Sequence, residues 1–259
     1  MDSAFLSKLK QFGYVLWTSY LNHTECDLIQ DQISSHSATS HTSDSINGQC
    51  QSIANLLESD PAFYRLATEK RLNRFLRTFF SEHSYQDEFP YQLSRIQYRN
   101  IIEPCPAQTL HLDSRLPGVQ PCISLHCFLY LDDASLEDGA TQVLPKSHLV
   151  QRYPTESDRK NCISIEASKG DLLILQSSLW HGSGAKTSLK QRPIIALAFN
   201  RWWIRQQFQF PYQLTSLRAG MELDEQYILG FFNYPPFSST ERLQSRGDLP
   251  HAGSQSISA

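Results

Sequence analysis

Apolar residues change their period once along this chain. In the first 85 residues they recur at spacings of three and four. Cys26, Ile29 and Ile33 mark one stripe, and Phe63, Leu66, Leu72, Phe75, Leu76 and Phe79 mark another. That is the period of helices with one buried face. Asn22 or Thr24 offers an N-cap for the first stripe, and the short apolar run Gly13–Trp17 ahead of it reads as a strand. Residues 34–50 are almost wholly small and polar and read as a loop, with His36 and His41 not read as ligands. From about residue 91 the period drops to two, or dissolves into short apolar runs punctuated by Pro, Gly and Asp. The segments are 91–99, 108–112, 121–131, 140–144, 162–166, 171–176 and 192–199. So many short strands without a helical pattern between them predict an antiparallel barrel or sandwich. Partly helical, aromatic-rich segments return after residue 200, Glu222–Phe231 among them, and the polar tail 238–259 predicts a disordered end. With no repeat and no linker, the expectation is one domain over 1–259: a helical part, 1–85, and a mainly β core with flanking helices.

Composition narrows this picture. A chain of 259 residues can close one sizeable core, and 14 Phe, 11 Tyr and 4 Trp fill it. Net charge is −3, and no run of Lys or Arg could track a phosphate backbone, so nucleic acid is not an expected partner. No stretch approaches the roughly 20 apolar residues of a membrane span, and the start lacks the apolar core of a secretory leader. No membrane partner and a cytoplasmic location are therefore expected. Six cysteines at 26, 50, 105, 122, 127 and 162 include no CxxC and are expected as buried thiols. No pattern fixes an oligomeric state.

Candidate chemistry enters at His111-Leu112-Asp113, at the end of a β segment. In a strand, residues two apart point the same way, so the imidazole and the carboxylate share a face. A third ligand must come from a distant strand, and His181 is the best candidate. It follows the turn Lys169-Gly170-Asp171 and the apolar run 172–175. Two His and one carboxylate on one face of an octahedron leave three positions open. That is the pattern of iron(II) oxygenases, whereas a structural zinc site closes all four of its positions. 2-Oxoglutarate would take two open positions and dioxygen the third. The far carboxylate of 2-oxoglutarate then needs a buried cation. Arg192 opens the strand after His181, and Ser183, two residues past His181, could offer a hydroxyl to the same carboxylate. An HxD tripeptide alone is weak evidence; the order HxD, His, Arg within a β-rich region is much stronger.

These residues and their surroundings resemble the phytanoyl-CoA dioxygenase family of iron and 2-oxoglutarate enzymes. The resemblance runs through 108–113, Phe128–Asp133, Glu137–His148, Gly170-Asp171, His181-Gly-Ser183 and Arg192-Pro193, with Phe12-Gly13-Tyr14 as an opening. It implies a double-stranded β-helix, or jelly roll, with iron on His111, Asp113 and His181 and with 2-oxoglutarate gripped by Arg192 and Ser183. Where many members carry Trp on the central strand this chain has Phe128, on the same face as Ser124, His126 and Tyr130. Gln97 is a further candidate for the cosubstrate. His148 is read as structural. His126 is a core histidine or a substrate contact, and Arg115 is a solvated charge or a substrate anchor. Related halogenases lack the carboxylate ligand, so Asp113 points to hydroxylation of a small-molecule substrate, or to desaturation or ring formation. The rivals are a cupin-like metal enzyme without 2-oxoglutarate and a catalytically silent small-molecule binder.

Overall fold

The computed structural model of this chain describes residues 2–37, 50–84, 89–233 and 239–240. Both helical stripes fold as their period predicts. α1 (Asp2–Phe12) leads through Gly13 into β1 (Tyr14–Trp17), and α2 (His23–Ser37) carries the first stripe. Asn22 caps α2: its Oδ1 accepts from Glu25 N at 2.9 Å, and Asn22 N donates to Glu25 Oε2 at 2.8 Å. Beyond β2 (Cys50–Ile53), the short helices α3 (Leu56–Ser59) and α4 (Tyr64–Ala67) precede α5 (Lys70–Ser81). α5 buries Leu72, Phe75, Leu76, Phe79 and Phe80.

Three expectations change. α2 continues to Ser37, so the first residues of the predicted 34–50 loop, His36 among them, are helical. Its last residue, Cys50, opens β2, a four-residue strand made by pairing with a neighbour rather than by any period of its own. Residues 38–49, including His41, lie outside the described residues, as does the predicted tail 238–259 apart from 239–240. Segment 108–112 is not a strand either; only His111 makes a ladder contact there.

The β region supplies β3 (Tyr91–Ile101), β4 (Ser124–Tyr130), β5 (Thr141–Val143), β6 (Ile163–Ile165), β7 (Leu172–Gln176), β8 (His181–Ser183) and β9 (Arg192–Arg201). They form two antiparallel sheets of a jelly roll, ordered β1-β7-β4-β9-β3-β2 and β6-β5-β8. The short helices α6 (Phe210–Gln213) and α7 (Leu223–Ile228) follow. Central strands are covered on both faces, which is why they read as continuous apolar runs. Leu125, Cys127 and Leu129 of β4, Leu172 and Ile174 of β7, and Ile195, Leu197 and Phe199 of β9 pack with the helices in one large core. The alternate residues face the small sheet. There Tyr130, Leu173, Leu175 and Ile194 meet Val143 and Ile165 in a second, smaller cluster. The site opens between the sheets, beside this smaller cluster.

All six cysteines are free; Cys26, Cys122 and Cys127 are buried, and Cys50, Cys105 and Cys162 are half-buried. Among the described residues no helix is long and apolar enough to cross a membrane.

Candidate metal centre

His111 and His181 are joined through their backbones before their side chains meet. The N–H of each donates to the carbonyl of the other at 2.9 Å. Asp113 N and Ser114 N both donate to Ser177 O, at 2.8 and 3.0 Å, which pins the segment after His111 beside the approach to β8. One ligand atom from each of His111, Asp113 and His181 falls within 4.8 Å of the others. In both imidazoles Nδ1 lies 3.0 Å from the carbonyl two residues earlier, Thr109 O and Leu179 O. A carbonyl can only accept, so Nδ1 carries the proton in a neutral ring and Nε2 keeps its lone pair. The two Nε2 atoms lie 4.0 and 3.5 Å from different oxygens of Asp113.

Electrostatics favours this arrangement for a cation. Burial pushes His181 down to about 4, so the ring is neutral near pH 7. For Asp113 burial works in the opposite sense and opposes ionisation. The surrounding histidines outweigh it, His126 foremost, and hold the carboxyl well below the usual carboxylate range. Two imidazole lone pairs and one carboxylate charge, on half-open ground, match a divalent cation that keeps further positions free.

A narrow cavity of about 90 Å3 leads inward from the triad, bounded by Gln97, Phe128, Thr141, Ser183 and Arg192. Arg192 is 3% exposed. Its Nη1 donates to Gly139 O at 2.6 Å and its Nη2 to Ser183 Oγ at 2.9 Å, while Nε is buried without a partner. Both partners are neutral. Guanidinium stays protonated in proteins, so a buried positive charge stands here without an anion, which is costly unless a ligand supplies one. A cosubstrate that chelates a metal at one end and carries a carboxylate at the other fits both features.

The remaining expected residues divide between two spaces. Phe128 stands 6.1 Å from the His181 ring, centroid to centroid. Gln97 lines the narrow cavity, with its amide nitrogen donating to Ser52 Oγ at 2.8 Å. His126 and Arg115 instead line a second cavity of about 620 Å3 on the other side of Asp113. His126 is buried, with Nδ1 2.9 Å from Asp113 Oδ2 but poorly aligned for a hydrogen bond. Arg115 is exposed at the edge of that space. His148 is away from both, its Nε2 3.0 Å from Lys10 O. Arg95 and Arg99, which also line the narrow cavity, were not anticipated. Arg95, Gln97 and Arg99 alternate along β3, placing three polar side chains on one face of a strand whose other face is core, a pattern that reads equally as a solvent-facing edge.

Comparison with known proteins bears on the fold and the family. Protein Rv1501 of Mycobacterium tuberculosis, itself uncharacterized, is 31% identical over 115 residues, which are 42% of this chain and 41% of that protein. The matched stretch thus spans about two-fifths of that relative's length. Among solved structures, HygX from Streptomyces hygroscopicus with nickel, 2-oxoglutarate and hygromycin B bound superposes with a TM-score of 0.67 at 17% identity, covering 78% of this chain and 88% of HygX. The non-heme alpha ketoglutarate dependent epimerase SnoN from nogalamycin biosynthesis gives 0.66 at 16% identity, covering 80% and 86%. At such identities the likeness is one of fold. The family model for phytanoyl-CoA dioxygenase matches residues 9–194, and this chain belongs to that family.

Proposed function

We propose that this protein is an iron(II)- and 2-oxoglutarate-dependent dioxygenase that hydroxylates an unactivated carbon of a small molecule, releasing succinate and carbon dioxide. The observation that carries the reading is Arg192: a buried guanidinium with only neutral partners, lining the same narrow cavity as His111, Asp113 and His181.

Each residue has a role in this reading. Nε2 of His111, Nε2 of His181 and the Asp113 carboxylate hold the metal, with Thr109 O and Leu179 O fixing the ring orientations through Nδ1. Arg192 takes the far carboxylate of 2-oxoglutarate, using the Nε–H that has no partner, and Ser183 supports it. Phe128 closes one wall and keeps water from the chelate. Iron(II) with 2-oxoglutarate supplies the oxidising power that activates dioxygen for attack on a C–H bond. The second cavity, adjoining Asp113, receives the substrate.

The test is anaerobic titration of iron(II) into the protein with 2-oxoglutarate, following the weak visible charge-transfer band of the chelate. Wild type is run beside His111→Ala and Arg192→Ala. The band is expected in wild type, absent without His111 and weakened without Arg192. Folded, iron-loaded wild type showing no band would sink the 2-oxoglutarate assignment and leave the cupin-like or silent-binder reading.

A further inference from the structure

The second cavity has a character of its own. Its wall and that of the narrow cavity together carry five arginines, at 95, 99, 115, 192 and 205, against a single carboxylate, Asp113. That excess lies inside a chain of net charge −3. A divalent metal and a dianionic cosubstrate cancel each other, so the excess persists when both are bound. Arg192 is then matched by 2-oxoglutarate, whereas Arg95 feels only the charge of Asp113, which it does not contact and which the metal would share. Arg95 lines both cavities, and its Nε is buried with no partner.

The backbone is arranged to put Arg95 there. β3 shifts register against β9 between Leu93 and Arg95, leaving Ser94 without a partner. Across this bulge Leu93 joins the core on the helical side while Arg95 turns to the cavity. With regular alternation the two would share a face, and bulges beside sites commonly re-aim a side chain in this way. On β4, separated from β3 by β9 in the same sheet, Ser124 is 6% exposed and its Oγ has no partner. Two unmet polar groups, Arg95 Nε and Ser124 Oγ, buried on one cavity wall, describe a site for a polar ligand.

We propose that the substrate is a small anion whose carboxylate or phosphate is held by Arg95, side-on through Nε–H and a terminal N–H. Ser124 meets a polar group on its body, and the exposed Arg205 draws it to the mouth. The orientation of the substrate towards the metal rests on the function proposed above; the anion site itself does not.

The experiment uses the full chain loaded with manganese(II) and 2-oxoglutarate, with binding followed by ligand-observed NMR. The probes are 3-phenylpropanoate, phenyl phosphate, and the amide and amine of the same phenylpropyl frame. The two anions are expected to bind at least about tenfold tighter than the amide, the worth of one charge-assisted pair, and the amine not at all. Arg95→Gln should bring acid and amide within about twofold of each other, while Lys70→Gln, at an exposed position on α5, leaves the preference intact. Because a variant could misfold, wild type is also competed with inorganic phosphate, which should displace the acid and not the amide. An amide that binds as well as the acid, or a preference that survives Arg95→Gln or is lost in Lys70→Gln, overturns the proposal. Manganese separates the two readings. Arg95-dependent binding without paramagnetic broadening of the probe keeps the anion site and removes the metal reading. Broadening and 2-oxoglutarate binding without acid preference do the reverse.

Discussion

His181 is enclosed, and burial lowers it to about 4 from 6.5. Between those values the unfolded chain takes up a proton that the folded one refuses. The His181 contribution to stability therefore falls as pH drops from 6.5 to 4 and levels off below, by on the order of 3 kcal/mol. Urea unfolding of the metal-free protein at pH 7, 5.5 and 4.5 should show this decline, and His181→Gln should flatten it. Asp138, lowered to about 2 against the opposing effect of burial by its bonds to Ser188 and Ser135, acts in a separate window. Its contribution is full above about 4 and is lost as pH falls towards 2. At this scale His111, Asp113, His181 and Arg192 were legible because their chemistry and spacing point to one use. Arg95 and Arg99 were not, since an Arg on a strand looks the same whether its face meets solvent or a second sheet. Only the sheet order tells the two apart.

Among elements, the turn before β7 is the most tightly constrained. Gly170 has φ +91°, and a Cβ there would lie 2.1 Å from Leu21 O, whose own N–H donates to Gly170 O at 2.9 Å. Gly170→Ala combines left-handed backbone with a clash that only backbone movement relieves. It should cost more than about 2 kcal/mol, read as a lower urea midpoint. The bulge in β3 gives a contrasting pair. Ser94→Ala leaves the backbone intact and should change the melting temperature little. Deletion of Ser94 makes Leu93 and Arg95 consecutive on opposite faces, as they already are, but removes the carbonyl that accepts from Gln207 N at 3.0 Å. It is expected to cost about 1–3 kcal/mol without loss of the fold, as thermal melting would show. Strands covered on both faces announced themselves as apolar runs. β2 did not, because four residues, Cys50–Ile53, carry no period and owe their conformation to the edge of β3. The 108–112 segment misled for the reverse reason: its alternation reflects Leu110 and Leu112 buried beneath an irregular chain, not a ladder.

For the molecule as a whole, the architecture was readable from the number and brevity of the strands, while the enclosed face and the second cavity were not. The large core joins the six-stranded sheet to the N-terminal helices and lies on the side away from the metal centre. Removing the metal with a chelator should therefore leave far-ultraviolet dichroism unchanged and lower the melting temperature only by lost binding, about 2.7 kcal/mol at a hundredfold excess over Kd. The two backbone bonds between His111 and His181 carry a further consequence, in the language of amide exchange. Residues 102–120 contain no strand and carry two of the three proposed ligands, while the third sits on β8. Local opening of that segment parts the ligands, so an occupied centre must slow it. Deuterium uptake should fall on metal binding in 102–120 and in β8 and stay unchanged in α5 and β7. Occupancy then becomes visible as a slowing of exchange confined to the ligand-bearing segments, a map that a melting temperature alone does not give.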